Sequence, residues 1–143
     1  MLDMHEYVRW INSAKRTLRS AYGDLERGDY NWSSFKAQQS AGMAVKALLR
    51  GLGLPSYRHS ISRLLIDIKT QGINVPDEII KCAKTLDKHY IPTRYPDAWS
   101  EGIPYEYYTS DDAKLAINYA EKIIAWVEEQ WKSLRKELNS GKK

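Results

Sequence analysis

The residues from Tyr90 to Asp97 combine side chains that proteins use to hold a nucleotide. Thr93, Arg94 and Tyr95 are consecutive, and Asp97 follows two residues later. An arginine can clamp a phosphate with two parallel hydrogen bonds, a tyrosine ring can stack on a base, and a threonine hydroxyl can donate to an oxygen. We therefore predict that Tyr90, Thr93, Arg94, Tyr95 and Asp97 bind a nucleotide such as ATP or GTP.

The same residues could instead have a purely structural role, and the sequence does not decide between the two. Arg94 could pair with Asp97 or with a carboxylate of a neighbouring helix, while the tyrosines cover the core. Lys46 is a further candidate for nucleotide binding, because it stands within an otherwise apolar helix. Its ammonium group could point to a bound phosphate, or it could extend from a packed surface into solvent.

His59 and His89 are the candidates for acid–base catalysis. A histidine-based ribonuclease needs a group that titrates near neutral pH and a cation beside the phosphate. Arg58 adjoins His59 and Arg94 follows His89, so each histidine has an arginine nearby in sequence. The alternative for His59 is a local hydrogen-bonding role at a helix start.

Neither a metal nor a glycine-rich phosphate loop is indicated. The sequence has no HExxH motif, no pair of cysteines and no Walker or GxGxxG segment. We predict no metal ligands and assign no cofactor beyond a possible nucleotide ligand. Because no glycine-rich loop is present, that nucleotide would be held by side chains and helix ends.

Five helical segments must position these residues, because apolar side chains recur at steps of three and four residues and no segment alternates with period two. The predicted helices run from about Met4 to Arg27, from about Trp32 to Leu52, from about His59 to Thr70, from Pro76 through Tyr90, and from Thr109 through Leu134. The fold class is therefore all-α, an antiparallel up-and-down bundle of about five helices.

Three local features qualify this scheme. The second helix carries a run of small residues, Ala37, Ser40, Ala41, Gly42, Ala44 and Ala47, where another helix can approach closely, either within the bundle or across a dimer interface. Asp111 and Asp112 are expected to cap the last helix. Residues 91–108 hold three of the five prolines and break the helical rhythm; their many aromatic rings favour an ordered segment over a disordered one.

The composition describes a folded protein without a strong charge. The chain has 143 residues, of which 22 are basic and 18 acidic, and the net charge of +4 is spread along it. The basic residues near the C-terminus, Lys132, Arg135, Lys136, Lys142 and Lys143, are expected to be a solvated helix end. Cys82 fits a buried small hydrophobe. No apolar run is long enough to cross a bilayer, so we expect a cytoplasmic protein with no membrane contact.

From about His5 to Trp131 the chain resembles the HEPN family (higher eukaryotes and prokaryotes nucleotide-binding), in its small stand-alone prokaryotic form. The resemblance depends on blocks in a fixed order: GDYNWSSFKAQQSAGMAVKALL, GLGLPSYRHSISRLL, LDKHYIPTRYPDAW and YTSDDAKLAINYAEKII. It implies a single domain over residues 1–143 with its core at about 5–131.

The resemblance also implies a function. HEPN proteins commonly dimerise and associate with nucleotides, and many prokaryotic members work with a minimal nucleotidyltransferase in a toxin–antitoxin module. The expectation is thus a nucleotide-binding and interaction module, a homodimer partnered with a separate nucleotidyltransferase, rather than an enzyme.

The alternative is a metal-independent endoribonuclease toxin that acts on RNA. Many HEPN ribonucleases carry an arginine followed four to six residues later by a histidine. That signature is absent here, because eight residues separate Arg50 from His59 and no arginine lies between Leu64 and Lys88 to serve His89.

Overall fold

The computed structural model describes residues 1–140, and over that range the chain forms five α-helices, two short 3-10 helices and no strand. The α-helices are α1 (Met4–Arg27), α2 (Tyr30–Gly51), α3 (Ile61–Lys69), α4 (Asp77–Asp87) and α5 (Ser110–Ser140). The 3-10 helices are Pro96–Ala98 and Pro104–Tyr107. The predicted all-α bundle of five helices is confirmed.

Capping residues account for both ends of α1 and for the start of α5. The Asp3 carboxylate accepts a hydrogen bond from the Glu6 backbone N–H at 3.1 Å, and Gly28 ends α1 with a φ of 83°. At the start of α5, Thr109 Oγ1 accepts from the Asp112 N–H at 3.2 Å, and Asp112 Oδ2 accepts from the Thr109 N–H at 2.9 Å. The predicted capping role of Asp112 is confirmed.

The small residues of α2 are buried inside the chain's own bundle. Ser40 Oγ donates to the Ala14 carbonyl at 2.7 Å and Ser33 Oγ donates to the Ala21 carbonyl at 2.8 Å, so α1 and α2 pack closely in opposite directions. Of the two alternatives for the small-residue run, the structure shows packing within the bundle.

The rest of the core is built around α5. Lys122 of α5 contacts Glu78 near the start of α4, and Tyr108 before α5 contacts His89 after α4, so these two helices are antiparallel. At the other end of the bundle, the Trp131 ring stacks on Tyr7 with centroids 4.2 Å apart. The buried apolar residues extend along the chain from Tyr7 to Trp131, and Cys82 is buried among them as predicted.

Two predicted helix boundaries were wrong. α3 begins at Ile61 rather than near His59, because residues 52–60 run back along α2 and the Gln38 side chain donates to the His59 carbonyl at 3.1 Å. α4 ends at Asp87 rather than Tyr90. Pro92 has no N–H to donate to the carbonyl four residues before it, so turns replace the helix over residues 88–94.

Within residues 1–140, no helix is long and apolar enough to cross a membrane. Lys132, Arg135 and Lys136 are exposed on α5, as expected of a solvated helix end. Lys142 and Lys143 lie outside the described residues.

Candidate functional site

The turn between α4 and the first 3-10 helix is fastened to α2 by Thr93. The Thr93 side chain is fully buried; its Oγ1 donates to the His89 carbonyl at 2.7 Å, and its own carbonyl accepts from Asn31 Nδ2 at 3.1 Å. A hydroxyl that is committed in this way does not face a ligand. The structure therefore places Thr93 beneath the site rather than on its surface.

Arg94 is the centre of an aromatic cluster formed by Phe35, Tyr90 and Tyr95. Its guanidinium carbon lies 4.3 Å from the Phe35 ring centroid, 4.7 Å from that of Tyr90 and 4.9 Å from that of Tyr95. Its Nε and Nη2 both donate to the Tyr90 carbonyl, at 2.9 and 2.6 Å. Together these contacts fix the plane of a cation that is only partly exposed.

No carboxylate of residues 1–140 lies within ion-pair distance of Arg94. The alternative in which Arg94 pairs with Asp97 or a helix carboxylate is therefore not seen. Asp97 is exposed in the first 3-10 helix. Arg94 Nη1 makes no hydrogen bond within the described chain, so one edge of the guanidinium is available to an anion.

His59 extends the aromatic cluster onto the segment before α3. Its ring stacks on Tyr90 with a centroid distance of 5.1 Å and an interplanar angle of 20°. A surface pocket of about 230 Å³ is lined here by His59, Ser60, Asp87 and Tyr90. His59 is exposed, and it shares the Tyr90 ring with Arg94.

His89 lies in different surroundings. Its Nδ1 is 3.1 Å from the Tyr108 hydroxyl, and burial lowers the pKa of the imidazole below its ordinary value. Burial, followed by the charge of Asp112, raises the pKa of Tyr108 to about 12. Both groups are therefore neutral at pH 7, and their contact is a hydrogen bond between uncharged partners.

The remainder of the 91–108 segment covers the core beside His89. Trp99 stacks on Tyr107 at 4.1 Å, contacts Tyr108 edge-on at 6.1 Å, and donates from Nε1 to the Pro92 carbonyl at 2.8 Å. Tyr108 is buried, whereas Tyr95, Tyr105 and Tyr107 are exposed. The second half of the segment therefore packs over the core, and the first half carries Arg94 at the surface.

The arginines lie beside partners other than the histidines nearest to them in sequence. Arg58 lies 3.2 Å from Asp67 in an ion pair, so its charge is directed away from His59. Arg94, which follows His89 in sequence, contacts the Tyr90 ring on which His59 also stacks.

Lys46 does not join this group. It lies eleven residues after Phe35 on α2, about 16 Å further along the helix axis, where its ammonium nitrogen is 5.9 Å from the Trp10 ring centroid. Lys46 is therefore separated from the Arg94 cluster, and its binding of a nucleotide stays a prediction.

Sequence reasoning missed two residues of the site. Phe35 is an apolar residue of α2, and nothing in its spacing marks it as a partner of Arg94. Asp87 was also overlooked. A negative charge is unfavourable at the C-terminal end of a helix, so the presence of Asp87 there could have indicated a hydrogen-bonding partner in another element.

The fold and the site together define a helical bundle with a partly exposed arginine and an exposed histidine beside one tyrosine ring at one end. The family model described as HEPN domain matches residues 7–130. The chain therefore belongs to the HEPN family, as the resemblance indicated.

Solved structures of similar proteins agree. TT1696 from Thermus thermophilus is 44% identical, with a TM-score of 0.85 over 88% of this chain and 98% of the other. ST0689, described as an archaeal HEPN homologue, is 44% identical with a TM-score of 0.74 over 87% and 96%. A HEPN domain protein from Thermotoga maritima, tm0613, is 33% identical with a TM-score of 0.70 over 87% and 98%.

One curated relative carries a functional name. The Methanocaldococcus jannaschii protein named "Putative toxin MJ1304" is 27% identical over 80% of this chain and 81% of its own length.

Proposed function

We propose that this HEPN protein is a nucleotide-binding and interaction module whose ligand, ATP or GTP, binds beside Arg94. The observation that carries the proposal is the Arg94 guanidinium, which packs against the rings of Phe35, Tyr90 and Tyr95 while its Nη1 makes no hydrogen bond within the described residues. A fixed guanidinium edge matches the geometry of a phosphate, and the exposed Tyr95 ring offers a face for a base. Asp97 is exposed in the neighbouring 3-10 helix, and its carboxylate is proposed to accept hydrogen bonds from a sugar or base.

The experiment is calorimetric titration of the protein with ATP, GTP and their diphosphates. Arg94→Ala should abolish binding, and Arg94→Lys should weaken it strongly, because lysine keeps the charge but loses the planar fork. Arg135→Ala is the matched control, since Arg135 is exposed on α5 beyond the Tyr7–Trp131 stack at the other end of the bundle. Absence of nucleotide binding by the folded wild type, or equal binding by Arg94→Ala, would contradict the proposal.

We further propose a homodimer. Trp32 and Ile91 are large apolar residues that are 44% and 47% exposed around the same end of the bundle. Covering such a surface with a second copy removes apolar area from water. Light scattering should report a dimer for the wild type and a monomer for Trp32→Glu, whereas Leu115→Glu, at another exposed apolar position, should leave the dimer intact.

The proposed partner is a separate minimal nucleotidyltransferase in a toxin–antitoxin arrangement. The name of the relative from Methanocaldococcus jannaschii supports a toxin-related role. Co-expression with a nucleotidyltransferase encoded next to this protein should give a complex that purifies together. Failure of the two proteins to associate in either the presence or absence of ATP would remove the partner from the proposal.

Ribonuclease activity is the second candidate, favoured by the contact of His59 and Arg94 with one ring. A titratable imidazole and a cation are the two groups that metal-independent RNA cleavage requires. Cleavage of labelled RNA in the presence of EDTA should be lost in His59→Ala and retained in His5→Ala and His89→Ala. A wild type that cleaves no RNA, or a His59→Ala variant of full activity, would exclude this use of the site.

A further inference from the structure

A groove between α1 and α2 carries cations and hydroxyls along the outer surface of the bundle. Three contacts across it mark its course. Lys36 Nζ donates to Ser20 Oγ at 3.0 Å, the Ser13 hydroxyl donates to Met43 Sδ at 3.4 Å, and Lys46 and Arg50 lie over the Trp10 ring. From Lys36 to Arg50 the groove follows fourteen residues of α2, or about 21 Å.

Arg50 is fixed at one end of this groove. Its Nε donates to Ser56 Oγ at 2.9 Å, and its guanidinium carbon lies 5.3 Å from the Trp10 ring centroid and 5.7 Å from that of Tyr57. Its two terminal nitrogens make no hydrogen bond within residues 1–140. Tyr57 is 80% exposed, so one aromatic surface at this end is open to a ligand.

The other end is a pocket of about 520 Å³ lined by Arg16, Thr17, Arg19, Ser20 and Lys36. Lys36 lies 2.8 Å from a carboxylate oxygen of Asp24. Arg16 and Arg19 are exposed, and neither has a carboxylate within ion-pair distance in the described part of the chain. The hydroxyls of Thr17 and Ser20 lie among these cations.

The positive charge of the groove is poorly balanced by the protein itself. Cations elsewhere on α1 have partners: Lys15 lies 2.7 Å from Glu128, and Arg9 lies 2.5 Å from Glu6. Lys46 and Arg50, one helical turn apart, have none among the described residues. Burial, and then the charge of Arg50, lowers the pKa of Lys46, so an anion placed here would relieve an unfavourable arrangement.

We propose that this groove binds a single-stranded polynucleotide, with phosphates along Arg16, Arg19, Lys46 and Arg50 and a base stacked on Tyr57. Because the cations lie at both ends of a groove about 21 Å long, a linear polyanion can contact both groups, whereas one phosphate cannot. The open Tyr57 ring favours nucleic acid over an acidic peptide, because a base can stack on it. The groove shares no residue with the Arg94 cluster.

The test is fluorescence anisotropy with a labelled single-stranded oligonucleotide of about twelve nucleotides, titrated at several salt concentrations. The variants are Lys46→Gln with Arg50→Gln, and Arg16→Gln with Arg19→Gln. The matched control is Lys132→Gln with Lys136→Gln, which removes the same charge from exposed positions of α5 at the four-residue spacing of Lys46 and Arg50. Unchanged ATP binding by Arg16→Gln with Arg19→Gln separates this groove from the nucleotide site.

Each groove double variant should weaken oligonucleotide binding by about tenfold or more and reduce the salt slope by roughly 1.4, at about 0.7 for each phosphate that the protein no longer neutralises. Tyr57→Ala should weaken binding with the salt slope unchanged, since stacking releases no counterions. The α5 control should bind the oligonucleotide as the wild type does.

Three results would overturn the proposal. The folded wild type could fail to bind the oligonucleotide, the α5 control could lose as much affinity as the groove variants, or a polyglutamate peptide could displace the oligonucleotide at equal charge. Because Arg16 and Arg19 are exposed, their double variant tests the groove even if Lys46→Gln with Arg50→Gln impairs folding. If Arg94→Ala loses only mononucleotide binding, that loss concerns the Arg94 site and does not affect the test of the groove.

Discussion

The carboxylate of Asp87, the last residue of α4, accepts a hydrogen bond from the backbone N–H of Ile61, the first residue of α3, at 2.7 Å. Asp87 also accepts from the Ser62 N–H at 3.0 Å and from the Ser60 and Ser62 hydroxyls at 3.0 and 2.6 Å. The free N–H groups at the start of α3 are thereby satisfied by a side chain from another helix. This carboxylate ties the segment that carries His59 to the one that carries Tyr90.

Removing the Asp87 carboxylate should destabilise the protein. Hydrogen bonds to a charged group are worth about 1.5–3 kcal/mol, so Asp87→Ala should lower the free energy of unfolding by about 2–3 kcal/mol. Asp87→Asn, which keeps one acceptor oxygen, should cost less. Urea denaturation measures both, with Asp97→Ala as an exposed control; equal stability of Asp87→Ala and the control would show that the cap contributes nothing.

Gly51 and Gly42 of α2 should respond to alanine in opposite directions. A Cβ at Gly51 would lie 2.4 Å from the Trp131 ring, which is itself stacked on Tyr7, whereas a Cβ at Gly42 would meet only Ile61 Cγ1 at 3.9 Å. Gly51→Ala should therefore cost about 2 kcal/mol or more through overpacking. Gly42→Ala should stabilise by about 0.5–1 kcal/mol, the usual gain of alanine within a helix.

Thermal or urea unfolding of the two alanine variants, made in the same background, decides the comparison. A Gly51→Ala protein as stable as Gly42→Ala would mean that Trp131 moves aside without cost. Such a result would contradict the close packing of α2 against α5 at this end of the bundle.

The helices could be predicted from the sequence because the information is local. Apolar residues that recur at steps of three, four or seven lie on one face only if the segment is helical, as on α1 with Tyr7, Ile11, Ala14 and Ala21. The helix ends are also local, because Gly28 favours a C-cap and Thr109 favours an N-cap. The family resemblance supplied the order of the elements. Boundaries failed where a tertiary contact decided them, as with Asp87 at the start of α3.

The site could be predicted only in part, because side-chain direction and distance between helices are not local. Thr93 and Arg94 are neighbours in sequence, yet one is buried and the other reaches the surface. Lys46 lies on the same helix as Phe35 but packs over Trp10, away from Arg94. Phe35 packs on Arg94 only because the turn after α4 is fastened to the start of α2 through Asn31, a contact between residues far apart in the chain.

Thr93→Val distinguishes a structural role of this threonine from ligand binding. Valine keeps the shape but leaves the His89 carbonyl without the buried hydroxyl donor at 2.7 Å. We expect a loss of about 1–2 kcal/mol in unfolding free energy and little change in nucleotide affinity. Calorimetric titration of the folded variant measures the second quantity, and a large loss of affinity with unchanged stability would place the hydroxyl in contact with the ligand.

His89 should make stability depend on pH on the acid side of neutrality. Burial lowers the pKa of folded His89 below its ordinary value of 6.5, so the unfolded chain binds a proton that the folded chain does not. Unfolding free energy should therefore fall as the pH is lowered from 7.5 towards 5.5, by at most about 1.4 kcal/mol per pH unit from this one group. The fall begins as the pH approaches the unfolded pKa and continues until folded His89 is itself protonated.

His89→Asn tests this assignment, because the asparagine amide can keep a hydrogen bond to the Tyr108 hydroxyl but does not titrate. Urea denaturation at pH 7.5, 6.5 and 5.5 should show a smaller pH dependence for His89→Asn than for the wild type. His5→Asn, at an exposed histidine, should keep the wild-type dependence. If His89→Asn loses stability with falling pH as steeply as the wild type, the proton is taken up elsewhere in the chain, and the buried contact between His89 and Tyr108 is not the origin of the effect.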